Sequence, residues 1–301
     1  MCELVMSPAL VRIAERGTIR PHHVDEVREE VFPDGLPNKA AAETLLAIDM
    51  AAQKSCTDWE TYLRGAIADF IARAEPDQHD NLAQWLIRCI SRHGCVDDPG
   101  RFDMLLAVIE ALPTPPYQLV RLALSQVETA ILEARGPLAQ SRLCDKRVIT
   151  SRDVASIRTI LLAVGDAPLS REEMQFLFDL NEQTFPHANH GSWQDLFVKA
   201  VANHVLSEGK AGAQPRSIAL AADQPADKRV KACVAKLRSA GSDAPYRLSP
   251  ESGANGPNTP AQWVINRYAG SSTFRGDCAA AVAHVTQMMV RNPGAQELRS
   301  A

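Results

Sequence analysis

The 301-residue sequence predicts an all-α protein, and three observations carry that expectation. Apolar residues recur at helical spacing from about residue 17 to 206, and no stretch there alternates as a strand must. One helix pattern also occurs twice, each time led by a tryptophan. TDWETYLRGAIADFIA (57–72) superposes on GSWQDLFVKAVANHVL (191–206), with Trp59, Leu63, Ile67 and Phe70 opposite Trp193, Phe197, Val201 and His204. The shared apolar offsets of 0, 3, 4, 7, 8, 11 and 12 trace one face of a helix. Asp58 and Ser192, each just before its tryptophan, are side chains that can cap free N–H groups.

Upstream of each tryptophan the match continues. Ile19, Val24, Val27, Arg28 and Val31 stand opposite Ile149, Val154, Ile157, Arg158 and Leu161 at constant spacing. A turn follows, then a second helix, NKAAAETLLAID (38–49) against SREEMQFLFDLN (170–181). Ser170 with Glu173 forms the Ser-x-x-Glu capping box of a helix start. The unit is helix, turn, helix, loop, Trp-led helix, about 55 residues in all. Between the two copies, Leu82, Trp85, Leu86, Cys89 and Ile90 form a helical face, as do the sets beginning at Phe102 and at Tyr117. The turn HGCVDDPG and the breaker Pro113–Pro116 separate them. This middle segment reads as a third, divergent copy. The expected organisation is units at 1–74, 75–136 and 145–206, a linker at 207–224, and a small basic helical region at 225–301.

Composition supports a globular chain: 46% apolar and 23% charged residues, without an apolar run long enough for a membrane span. The start, MCELVMSPALVRIAERG, lacks a basic n-region, so no signal peptide is expected. Seven scattered cysteines do not suggest a disulfide framework, and a reduced, cytoplasmic location is expected. The net charge of −4 divides unevenly. Residues 207–301 carry 12 Lys/Arg against 7 Asp/Glu, leaving 20 against 29 for residues 1–206. An acidic repeat array argues against nucleic acid as the partner.

The turn FPDGLPNKAAAETLL (32–46) resembles the TerB-like (tellurite-resistance) helical family. Asp34, Gly35, Leu36, Asn38 and Glu43 carry the resemblance, with echoes at His93, Gly94, Val96 and Asp97 and at Leu169, Ser170 and Glu173. The likeness spans residues 17–206. It implies tandem helical units and a link to stress and metal resistance, and it brings no catalytic residues. An EF-hand reading of the same turns fails, because Phe32, Pro33, Leu36 and Pro37 around Asp34-Gly35 supply no ladder of oxygen ligands.

Few residues carry chemistry. His187 and His190 form His-x-x-His in one interhelical loop, and His93 with Cys95 flank Gly94 in another. Imidazole and thiolate suit zinc or copper, so these four are the candidate ligands of a divalent metal, although no cofactor is otherwise expected. Polar loops also collect ordinary histidines. No dinucleotide loop, Walker loop, His-Glu-x-x-His helix or Gly-x-Ser-x-Gly elbow is present, so the sequence leans away from an enzyme, leaving open a site assembled from residues distant in the chain. Trp59 and Trp193 admit two readings, core filler or anchor of a binding groove. The basic stretch PADKRVKACVAKLRSA (225–240), with Lys228, Arg229 and Lys231, reads as a solvated amphipathic helix or as a surface for an acidic partner. The function expected is a non-catalytic scaffold or interaction protein with a protein partner; a metal-responsive stress protein is the alternative.

Overall fold

The computed structural model describes residues 7–96, 98–142, 144–185, 187–206, 215–221 and Trp263. These residues are mostly helical, and their sheet content is one two-stranded hairpin. They divide between two compact units: Met1–Ala130 with Ala134–Arg142, and Ile131–Glu133 with Leu143–Ala301.

The first unit opens with a helix not anticipated in the repeat, α1 (Pro8–Arg16). Ser7 caps it, and Gly17 ends it at φ 61°, in the left-handed region that suits glycine. α2 (Pro21–Glu26) runs into a π-helical turn over Val27–Val31, which widens the last turn before Phe32. α3 (Lys39–Ala51) starts at Asn38, whose Oδ1 accepts from the Ala41 N–H at 3.0 Å. α4 (Thr57–Ala72) buries Trp59, Leu63, Ile67 and Ile71, the stripe the spacing predicts. A short 3-10 turn leads into α5 (His79–Ile90).

β1 (Ser91–Arg92) and β2 (Cys95–Val96) then form the hairpin. His93 and Gly94 at its tip have φ of 52° and 77°, the double positive φ of a tight hairpin turn. Gln126, fully buried on α7 (Tyr117–Glu133), holds the hairpin to the core. Its Oε1 accepts from the Val96 N–H at 2.8 Å, and its Nε2 donates to the Gly94 carbonyl at 3.1 Å. α6 (Pro99–Ala111) packs mainly on α4. The middle segment thus shares one compact unit with the first repeat copy and does not stand apart from it.

The second unit repeats the first three-helix pattern as α8 (Ser151–Ala163), α9 (Arg171–Thr184) and α10 (Gly191–Leu206). The capping box predicted at Ser170 and Glu173 is present in both directions. Thr150 and Asp153 form a second one at the start of α8. The register also holds in the core: Ile19, Val24 and Val27 are buried, and so are Ile149, Val154 and Ile157. In each copy a backbone bond ties the entrance of the first helix to the loop before the tryptophan. Ile19 N–H donates to Lys54 O at 2.9 Å, and His190 N–H donates to Ile149 O at 2.9 Å.

Residues 215–221, expected within a linker, are docked. A four-residue helix, α11 (Arg216–Ala219), places the Arg216 guanidinium inside the second unit at 1% exposure. Nη1 and Nη2 meet Glu173 Oε1 and Oε2 at 2.8 and 2.9 Å, and the group also donates to the carbonyls of Leu161, Ala167 and Pro168 at 2.7, 2.8 and 3.0 Å. A buried guanidinium needs this density of acceptors, since its loss of water is otherwise costly. Composition reads the stretch as a linker because one arginine among Gly, Pro and Ala leaves no periodic signal.

Candidate functional site

The sequence-derived candidates fall into three groups. Trp59 and Trp193 are core residues, 0% and 3% exposed. Their indole N–H groups are satisfied inside their own units, Trp59 by Asp49 Oδ1 at 3.0 Å and Trp193 by Asn181 Oδ1 at 2.8 Å. The register pairs Asp49 with Asn181, so both copies use the last residue of the matched helix segment for one task. Lys228, Arg229 and Lys231 lie outside the described residues.

The four candidate metal ligands occupy two loops. His93 is exposed on the hairpin tip, while Cys95, half-buried on β2, has its thiol 3.8 Å from the Val96 carbonyl. His187 and His190 are exposed in the loop before α10. His190 Nδ1 accepts from the Ser192 N–H at 3.2 Å and lies 2.8 Å from Ser192 Oγ, which gives it a capping role. Among the described residues, no three His, Cys, Asp or Glu side chains stand together as a metal would require.

A cleft in the first unit has more chemical content. α3 presents Glu43, Leu46, Ala47 and Met50 along one face, and the end of α5, β1 and the first turn of α6 close around them. The space measures about 260 Å³. Its floor is apolar, from Leu46 and Ile90 at the buried level to Met50 at 51% exposure. Its rim carries Arg88, Arg92 and Arg101. None of these three makes an ion pair within 4 Å among the described residues. Glu43 is the one carboxylate lining it. Its Oε1 accepts the Trp85 indole N–H at 2.8 Å and lies 3.7 Å from Lys39 Nζ, which fixes it toward α5.

Near the end of α3, Asp49 feels one of these cations, Arg101. Burial pushes its carboxyl above the ordinary range; the Trp59 bond and the charge of Arg101 oppose that without cancelling it, and Asp98 and Glu60 add to it. The cleft was not legible beforehand. Arg88, Arg92 and Arg101 are spread over three elements, and only the hairpin brings them to one rim. The sole advance signal was Met50, an apolar residue just past the buried stripe of α3.

The fold and cleft together give a mostly helical protein whose first unit carries a cationic, apolar-floored recess. No protein-family model, curated protein or solved structure matches the chain. No described helix is long and apolar enough to cross a membrane.

Proposed function

We propose that the chain is a non-catalytic interaction module and that its first unit receives an acidic, amphipathic protein segment in the cleft between α3 and α5. The observation that carries this reading is the set of three arginines, without an ion-pair partner among the described residues, around an apolar floor. Apolar side chains of a bound segment would cover Leu46, Ala47 and Met50, while its carboxylates would take up the guanidinium donors, which present paired N–H groups suited to carboxylate. The role belongs to the first unit. In the register of the repeat, Ala47 and Met50 become Asp179 and Glu182 in the second copy, side chains that would repel the same ligand.

The test is fluorescence anisotropy with a labelled twelve-residue helical peptide bearing leucines on one face and glutamates on the other. Saturable binding is expected to weaken as salt rises. Arg88→Glu with Arg92→Glu and Arg101→Glu should weaken it at least tenfold, and Met50→Ala by a smaller factor. Equal affinity for the triple variant, or for a peptide with lysines in place of the glutamates, would remove the proposal.

A further inference from the structure

Two tryptophans outside the repeat pattern are gripped in the same way. In the first unit Trp85, on α5 and 3% exposed, stands edge-on to Phe70, with centroids 6.2 Å apart and planes at 80°. Lys39 Nζ lies 5.7 Å from its ring centroid. In the second unit Trp263, 7% exposed, stands edge-on to His204 at 5.9 Å and 80°, and Arg171 Cζ lies 5.4 Å from its centroid. The register fixed by Trp59 and Trp193 places Phe70 opposite His204, and that of the preceding helix places Lys39 opposite Arg171. The flanking sequences agree as well: Ala83-Gln84-Trp85-Leu86-Ile87 against Ala261-Gln262-Trp263-Val264-Ile265.

A ring, a cation and a tryptophan therefore recur as a set, in positions assigned without reference to either Trp85 or Trp263. In the second unit Phe178, opposite Leu46 in the register, adds a second edge-on ring at 5.7 Å and 89°. His204 is held for this contact by its Nδ1, which donates to the Leu169 carbonyl at 2.6 Å.

We infer that the chain is an internal duplication of a longer unit than the three-helix repeat, and that Arg171, Phe178 and His204 form a binding seat for the tryptophan of an Ala-Gln-Trp-(Leu/Val)-Ile segment, occupied in cis by the chain's own Trp263. On this reading the middle segment is the second half of the first copy. The occupant differs between copies in its tether. Twelve residues separate Ala72 from Trp85, whereas 56 separate Leu206 from Trp263, and Arg216 pins that longer path to the same unit. Covalent attachment gives Trp263 an effective concentration at the seat that free peptide must exceed, so the same segment supplied in trans competes poorly until the cis tryptophan is removed.

The test uses the full chain and a fluorescein-labelled peptide of residues 257–269. Trp263→Ala should bind it saturably with an apparent affinity at least tenfold above that of the unsubstituted chain. The peptide with its own tryptophan replaced by alanine should not bind, unlabelled peptide 79–91 should compete, and Arg171→Gln added to Trp263→Ala should weaken binding severalfold. Equal binding by both chains, or none by a Trp263→Ala chain of unchanged helical circular dichroism, would overturn the assignment. Trp263→Phe covers the case in which the alanine variant does not fold. The emission lost on that change should be blue-shifted and protected from iodide, and a red-shifted, quenchable loss would equally overturn it.

Discussion

Trp193 donates its indole N–H to Asn181 Oδ1 at 2.8 Å, the bond that Trp59 makes to Asp49 in the first copy at 3.0 Å. The acceptor is neutral in one copy and ionisable in the other, while the geometry is kept. Replacing either tryptophan by phenylalanine keeps most of the buried ring and strands a polar atom. Each change should cost about 1–3 kcal/mol in urea unfolding, and one well below that range would show that the bond is exchanged for water.

The ionisable copy should respond to pH. The folded chain holds the Asp49 proton more tightly than an unfolded chain with a pKa of 3.8, so keeping the carboxylate charged opposes folding above that pH. Asp49→Asn retains Oδ1 for the indole and removes the charge. It is expected to raise the melting temperature at pH 7, with the gain closing as pH falls towards 3.8 and below; a gain that persists unchanged at pH 3 would contradict the cause.

His23 should act with the opposite sign. It is buried with Nδ1 accepting from the Arg20 N–H at 3.2 Å. Burial, reinforced by His22, Arg16 and Arg20 against Glu26, lowers its pKa below 6.5. Stability should therefore be full above that value and decline as pH falls through it. His23→Gln should flatten this decline in melting curves between pH 7 and 5.

Arg216 and Glu173 make a pair in which one partner cannot be lost cheaply. Arg216→Ala leaves a carboxylate buried and should destabilise the second unit by about 3–5 kcal/mol. Arg216→Met with Glu173→Leu should recover much of that loss. Chemical denaturation of the single and double variants decides the matter, and additive losses would refute it.

Gln126 should behave as a structural clamp. Gln126→Leu fills the volume but leaves the Val96 N–H and the Gly94 carbonyl without their partner, at about 1–3 kcal/mol for each stranded group. Hydrogen exchange at Val96 should accelerate at least tenfold. Exchange that stays slow would mean that the hairpin is held by other contacts.

The Trp-led helices were readable because their apolar offsets repeat and each buries the stripe that the spacing marks. Asn38, Ser170 and Glu173 were readable because a cap is a local bond between residues three apart. What escaped depends on distant parts of the chain. Arg216 reaches carbonyls some fifty residues upstream, Gln126 serves a hairpin thirty residues away, and the cleft exists only where four elements converge. The π turn after α2 was hidden for another reason: its apolar spacing matches that of the regular α8, and only the bond from Phe32 N–H to Val27 O shows the wider winding. The likeness of residues 83–87 to 261–265 was present in the letters, but too short to weigh until Trp85 and Trp263 had comparable neighbours.

One small difference between the copies bears on how such a chain can change over time. The residue before the α9 cap is Leu169, whose buried N–H is met by Asn203 Oδ1 at 3.0 Å; its counterpart before α3 is Pro37, which has no N–H to satisfy. The counterpart of Asn203 is Asp69, an exposed side chain whose backbone carbonyl instead receives Arg73 Nε at 3.2 Å. Proline at position 169 would take from the buried Asn203 Oδ1 the N–H it accepts, and loss of Asn203 would take from the Leu169 N–H its acceptor, so neither exchange is free by itself. Leu169 and Asn203 are therefore tied to each other as a pair, and either one exchanged alone should cost about 1–3 kcal/mol.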